Sequence, residues 1–101
     1  MEIVDKKGFE EAIASGKTLV DFYADWCGPC KALAPVLEEL SKDNPDMKFI
    51  KLNIDNEEEI AMKYGIMSIP ALFVFKDNEV LGSSIGFKSK AQLQSFIDSL
   101  K

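Results

Sequence analysis

Seven consecutive residues, Thr18 to Ala24, would be apolar on both faces of an extended strand were it not for Asp21. A strand of that kind cannot keep one face in water, so it belongs in the middle of a sheet covered on both sides. The segments that could provide the cover flank it. About eight residues around Phe9, Ala12 and Ile13 keep helical spacing, with Gly16 placed to end them. Lys31 to Lys42 places Leu33, Val36, Leu37 and Leu40 on one helical face, with Pro35 inside the run, where the loss of one backbone donor should bend it. Glu2-Ile3-Val4 and Met47 to Ile54 read as further strands. Asn56 is placed to cap a short helix whose first turn holds Glu57, Glu58 and Glu59, as the helix dipole favours.

After Pro70 the period changes. Ala71 to Phe75 and Glu79 to Ser84 read as an antiparallel hairpin joined through Lys76-Asp77-Asn78, although Gly would be easier than Asn in such a turn. Ser89 and Gln92 form a capping box for a last helix with the core stripe Leu93, Phe96, Ile97 and Leu100. The order is β-α-β-α-β-α-β-β-α. No linker, repeat or low-complexity stretch interrupts it, so one α/β domain with a mixed sheet is expected over residues 1–101.

Composition removes several chemistries. The 101 residues are 47% hydrophobic and 29% charged, ordinary for a soluble globular domain. No apolar run approaches the ~20 residues needed to span a bilayer. Met1 to Glu10 holds acids and bases and no apolar stretch of the secretory kind, which makes the cytoplasm the expected compartment. A net charge of -5 argues against a nucleic-acid partner, which would call for clustered cations. All 12 basic residues are Lys, with no Arg or His. Without His there is no Ser-His or Cys-His nucleophile and no imidazole metal ligand. Redox chemistry at sulfur survives.

Both cysteines lie in Trp26-Cys27-Gly28-Pro29-Cys30-Lys31. Thiols three positions apart can close or open a small ring without rearranging the chain, and so short a ring offers little of the loop entropy by which structural disulfides stabilise. Cys27 falls between a central strand and a helix, where unpaired N–H groups and the positive end of the macrodipole favour thiolate. Lowering a thiol pKa from ~8.5 to ~7 takes about 2 kcal/mol of differential stabilisation. Cys30, a turn further in, should be the more buried, giving an attacking and a resolving member. Pro29 pre-sets a torsion near the helix start, and Gly28 leaves the approach to sulfur open. Half of a zinc site has the same spacing, but its other ligands would have to be carboxylates or come from a second chain. Two inert core thiols are the other bland reading.

Val20-Asp21-Phe22-Tyr23-Ala24-Asp25-Trp26-Cys27-Gly28-Pro29-Cys30-Lys31 resembles the active-site segment of the thioredoxin family. Lys51-Leu52-Asn53-Ile54-Asp55, Tyr64-Gly65-Ile66, Ile69-Pro70 and Gly86 recur in the family's order, so the similarity covers essentially the whole chain. The resemblance implies a central five-stranded mixed sheet flanked by four helices. It also implies a protein-disulfide reductase with no bound cofactor, working as a monomer on disulfide-containing proteins and recycled by a thioredoxin reductase, NADPH-linked or ferredoxin-linked. By the same resemblance Cys27 is the nucleophile and Cys30 resolves the mixed disulfide. Asp21, otherwise readable as an edge carboxylate, becomes a desolvated proton acceptor and donor for Cys30, and Lys51, otherwise a solvent-facing lysine, modulates it. The Ile69-Pro70 bond is cis in the family. Trp26, Gly28, Pro29, Ile69, Pro70 and Gly86 would form the docking surface, although Trp26 could simply pack in the core. Tyr23, Ser68, Ala71 and Phe87 depart from the commonest family pattern, and Ala71 and Phe87 would flank that surface.

An oxidase or isomerase on the same fold would show a much less reducing potential. A binding module that does not need its thiols would keep its function after both were replaced.

Overall fold

The computed structural model describes residues 1–100; Lys101, the last residue of the expected domain span, lies outside the described residues. The chain runs β1 (Glu2–Ile3), α1 (Lys6–Ile13), β2 (Lys17–Tyr23), α2 (Gly28–Asp43), β3 (Lys48–Asn53), α3 (Glu58–Lys63), β4 (Ala71–Lys76), β5 (Glu79–Ile85) and α4 (Lys90–Ser99). The five strands form one mixed sheet in the order β1-β3-β2-β4-β5. β3 pairs in parallel with β1 and β2, β4 pairs antiparallel with β2, and β5 pairs antiparallel with β4. β2 is therefore central, as its two apolar faces require.

The period of two along β2 sorts the core into layers. Val20 and Phe22 join Phe9 and Ile13 of α1, Ile60 of α3, and Ile50, Leu52, Ala71 and Phe75 from the neighbouring strands. Leu19 points the other way, into a cluster with Leu33, Leu37 and Leu40 of α2 and Leu93 and Ile97 of α4. Phe9, Phe22, Tyr64, Phe73 and Phe75 add edge and tilted ring contacts to the first layer, with centroids 5.3–6.4 Å apart.

Local chemistry sets the boundaries. Asp5 caps α1 by accepting the Gly8 N–H at 2.8 Å. The Ser89–Gln92 capping box forms as its spacing predicts, with both reciprocal bonds present. The hairpin turns at Asp77 and Asn78, both with positive φ, of 49° and 74°. Two such residues make the tight turn whose twist matches the strands, and outside bonds hold it there. The Gly16 N–H donates to Asp77 Oδ1 at 2.8 Å and the Asn78 N–H to the Ile13 carbonyl at 2.8 Å. A register shift between Val74 and Phe75 breaks the regular ladder of this hairpin.

Two expectations are corrected. Asn56 does not cap α3, because that helix begins at Glu58 behind Glu57, which makes no side-chain capping bond. The turn before it is organised instead by Asn53, whose Oδ1 accepts the Asp55 N–H at 2.9 Å. α2 begins at Gly28, three residues earlier than its apolar spacing indicated, because the first turn of a helix needs no apolar face and accepts Pro at its start. It continues through Pro35 to Asp43.

Candidate active site

Sheet topology brings three separate segments to one end of β2. Since β4 is antiparallel to β2, Ala71 at the start of β4 lies opposite Phe22 at the end of β2. The chain leaving β2 through Ala24 to Cys27 therefore passes the chain arriving through Ile69 and Pro70. β5 ends at Ile85, also opposite Ala71, and the next N–H, of Gly86, donates to the Pro70 carbonyl at 2.8 Å. Gly86 has φ 87°, a torsion that a side chain would disfavour although space for one exists. The Ile69–Pro70 peptide is cis.

At this junction Cys27 is the N-cap of α2. Its Sγ accepts the Cys30 N–H at 3.2 Å, and the two cysteines form a disulfide with their Cα atoms 5.3 Å apart. Gly28 and Pro29 fill the first two helical positions, where a missing backbone donor costs nothing. Tyr23, Ala24, Cys27 and Cys30 form a small apolar cluster with Ile54 and Ile69 packed on it. Cys30 is not the more buried of the pair: Cys27 is 4% and Cys30 5% exposed. As the cap, Cys27 folds its sulfur back onto the first turn, so the disulfide covers both sulfurs alike. What separates them is helix position, since only Cys27 faces the free N–H end.

Trp26 is 69% exposed, which excludes the reading that it is core. Its Nε1–H donates to Asp55 Oδ2 at 2.9 Å, a tether from the loop after β3 that spacing gave no means to foresee. Gly28 and Pro29 are exposed, and Pro70 is buried. Phe87 is half exposed beside Gly86, and Met67, which the sequence reading passed over, is almost fully exposed just before Ile69. Ala71 is fully buried, so only Phe87 of the two departures near this surface can meet a partner.

Asp21 is 1% exposed, and neither carboxylate oxygen has a hydrogen-bond partner. Alternation puts it on the α2 face, between Leu19, which packs on α2, and Tyr23, which packs with the cysteines. Burial pushes its pKa up to about 6, against the opposing pull of the Lys51 charge. Lys51 is its register partner on β3, yet no ion pair joins the two among the described residues. The Lys51 ammonium instead lies over the Tyr23 ring, 4.4 Å from its centroid. A cleft of about 290 Å³ opens here between Tyr23, Ala24, Asp25, Cys30, Lys31, Ala34 and Lys51. The arrangement can exchange disulfides at one end of α2 and hold a proton on a dry carboxylate on the same side of the sheet.

The model of the family described as Thioredoxin matches residues 1–99. The chain belongs to the thioredoxin family. It is 48% identical over 93 residues to the thioredoxin of Bacillus subtilis, covering 91% of this chain and 89% of that one. The thioredoxin of Pseudomonas aeruginosa is 44% identical over 99 residues, covering 95% and 92%. The solution structure of oxidised thioredoxin from Plasmodium falciparum superposes with a TM-score of 0.89 at 35% identity, covering 98% of this chain and 96% of that one. The five strands and four helices are those of this family. With the Cys27–Cys30 pair in place, the chain is a thiol-disulfide oxidoreductase that reduces protein disulfides. Membership brings with it disulfide substrates and recycling by a reductase.

Proposed function

We propose that Cys27 attacks the substrate disulfide as thiolate, forming a mixed disulfide and expelling one substrate thiolate. Cys30, giving its proton to Asp21, then attacks Cys27 Sγ and expels the second substrate sulfur as thiolate; one substrate thiolate takes the proton held by Asp21 and the other takes from water the equivalent of the proton Cys27 had lost. The substrate gains two electrons and two protons, and the chain is left with the Cys27–Cys30 disulfide. The observation that carries this reading is the Cys27 sulfur at the N-cap of α2, where helix N–H groups stabilise negative charge. The buried, unpartnered Asp21 on the same face supports its part as proton acceptor and donor, with Lys51 modulating it. Trp26, Gly28, Pro29, Ile69 and Gly86, backed by the buried Pro70, form the surface where an extended substrate segment docks.

The dithiol must be restored by a reductase, NADPH-linked or ferredoxin-linked, and the need for a reducing compartment supports the cytoplasm as the chain's location. No helix among the described residues is long and apolar enough to cross a membrane. The chain works as a single domain over 1–101 and as a monomer, since exchange at one end of one sheet needs no second copy.

Substituting the cysteines singly tests the assignment. Cys30→Ser should accumulate a mixed disulfide with a disulfide-containing protein and Cys27→Ser should form none; the reverse pattern would exchange the roles. Asp21→Asn should slow reduction near neutral pH. Rates unchanged from about pH 6 to 9 would remove Asp21 from the mechanism.

A further inference from the structure

We propose that Tyr23 is a positioning residue: its ring face seats the Lys51 ammonium at the cleft beside Cys30, so that Lys51 acts on Asp21 through its charge without pairing with it. The proposal rests on the reading that Asp21 exchanges the Cys30 proton and Lys51 modulates it. Three geometric facts carry it. Asp21 and Lys51 are direct register partners on adjacent strands, yet they form no ion pair. The Lys51 Nζ stands 4.4 Å from the Tyr23 ring centroid, within the range of a cation–π contact. The cleft that Tyr23 and Lys51 line is also lined by Cys30.

The physical reason is desolvation. To reach Asp21 the ammonium would have to enter a site that is 1% exposed and holds no other partner for it, and an ammonium loses more hydration there than one carboxylate restores. The ring offers a stopping place at the cleft, where Lys51 stays half-buried and not fully desolvated. From that seat its charge still reaches the carboxylate, and that pull opposes the effect of burial.

The other charged groups around the cleft do not hold Lys51 there. Asp25 from the loop after β2 and Lys31 from α2 line the same cleft, and Glu38 further along α2 is close enough to feel the Lys51 charge. Neither acid makes an ion pair with Lys51 among the described residues, and the Lys31 cation can only repel it. Burial first, and then the nearby charges of Asp25 and Asp21, disfavour ionisation of the Tyr23 hydroxyl, so the ring stays neutral. Without the ring, the ammonium moves outward into water, where its charge is screened.

The test is the pH midpoint of disulfide reduction in the full chain, which does not depend on how much of a variant folds. Lys51→Met should move the Asp21-dependent midpoint up by about half a pH unit, the size expected of one charge acting across a partly solvated gap. Tyr23→Leu should move it up by a similar amount, and Tyr23→Phe, which keeps the ring face, should leave it in place. Combining Tyr23→Leu with Lys51→Met should give no more than Lys51→Met alone. An unchanged midpoint in Lys51→Met overturns both the Lys51 reading and this proposal. A shift in Lys51→Met with none in Tyr23→Leu, or additive shifts in the pair, overturns the positioning role alone.

Discussion

The two faces of β2 are built to opposite rules. Toward α1 and α3, Val20 and Phe22 are wholly apolar, and the Phe22 ring meets Phe73 edge-on. Toward α2, Leu19 is followed by Asp21 with no hydrogen-bond partner and then by Tyr23 beside the disulfide. One face is a source of stability, and the other gives some of it up to keep a titratable group dry. Adjacent residues of one strand can thus serve folding and chemistry separately, because alternation sends them into different layers.

Substitutions at neighbouring positions should therefore have opposite signs. Phe22→Ala should lower stability by about 3–5 kcal/mol, as expected for deleting a large buried ring, while leaving the pH midpoint of reduction in place; urea unfolding and the pH profile read the two effects. An equal loss in both would mean that the faces are not independent. Asp21→Asn should act the other way, and only above acid pH. In the disulfide form the folded carboxyl titrates near 6 against 3.8 as its ordinary value. Between these values the folded chain holds more protons than the unfolded one, so stability falls as pH rises through the window. It is unpenalised below about 3.8 and at its full penalty above about 6. Relative to wild type, the Asn variant should gain roughly 3 kcal/mol between about pH 3 and pH 7. A constant difference across pH, measured by unfolding at each, would show that Asp21 is not held neutral by burial. The smallest effect belongs to the rim of the apolar side, where Lys6 and Glu59 pair at 3.7 Å across α1 and α3 in solvent. Lys6→Met should change stability by less than about 0.5 kcal/mol and leave the pH profile unmoved.

Much of this division could be read from residue order. The central place of β2 followed from apolar residues on both faces, and Asp21 stood out because nothing else in that run is charged. The cysteine pair could be placed between strand and helix because Gly28 and Pro29 suit a helix start. What stayed hidden depended on distances between strands. The Lys51–Tyr23 contact requires the parallel register of β2 with β3, which no local pattern encodes. The Trp26–Asp55 bond joins loops 29 residues apart for the same reason. Asn56 looked like a cap because its type favours one, but Asn53 had already taken the turn. The equal cover of the two cysteines goes with the Cys27 sulfur lying on the first turn of α2 as its cap, which spacing alone does not specify.

The sheet's edges carry a consequence of their own. β1 contributes only two residues at one edge, and the β4–β5 ladder at the other is broken by a register shift. A short or kinked edge is a poor template for another chain's backbone. An extended substrate segment docked as proposed at one end of the sheet would therefore come away readily, because the rest of the sheet gives it little to zip onto.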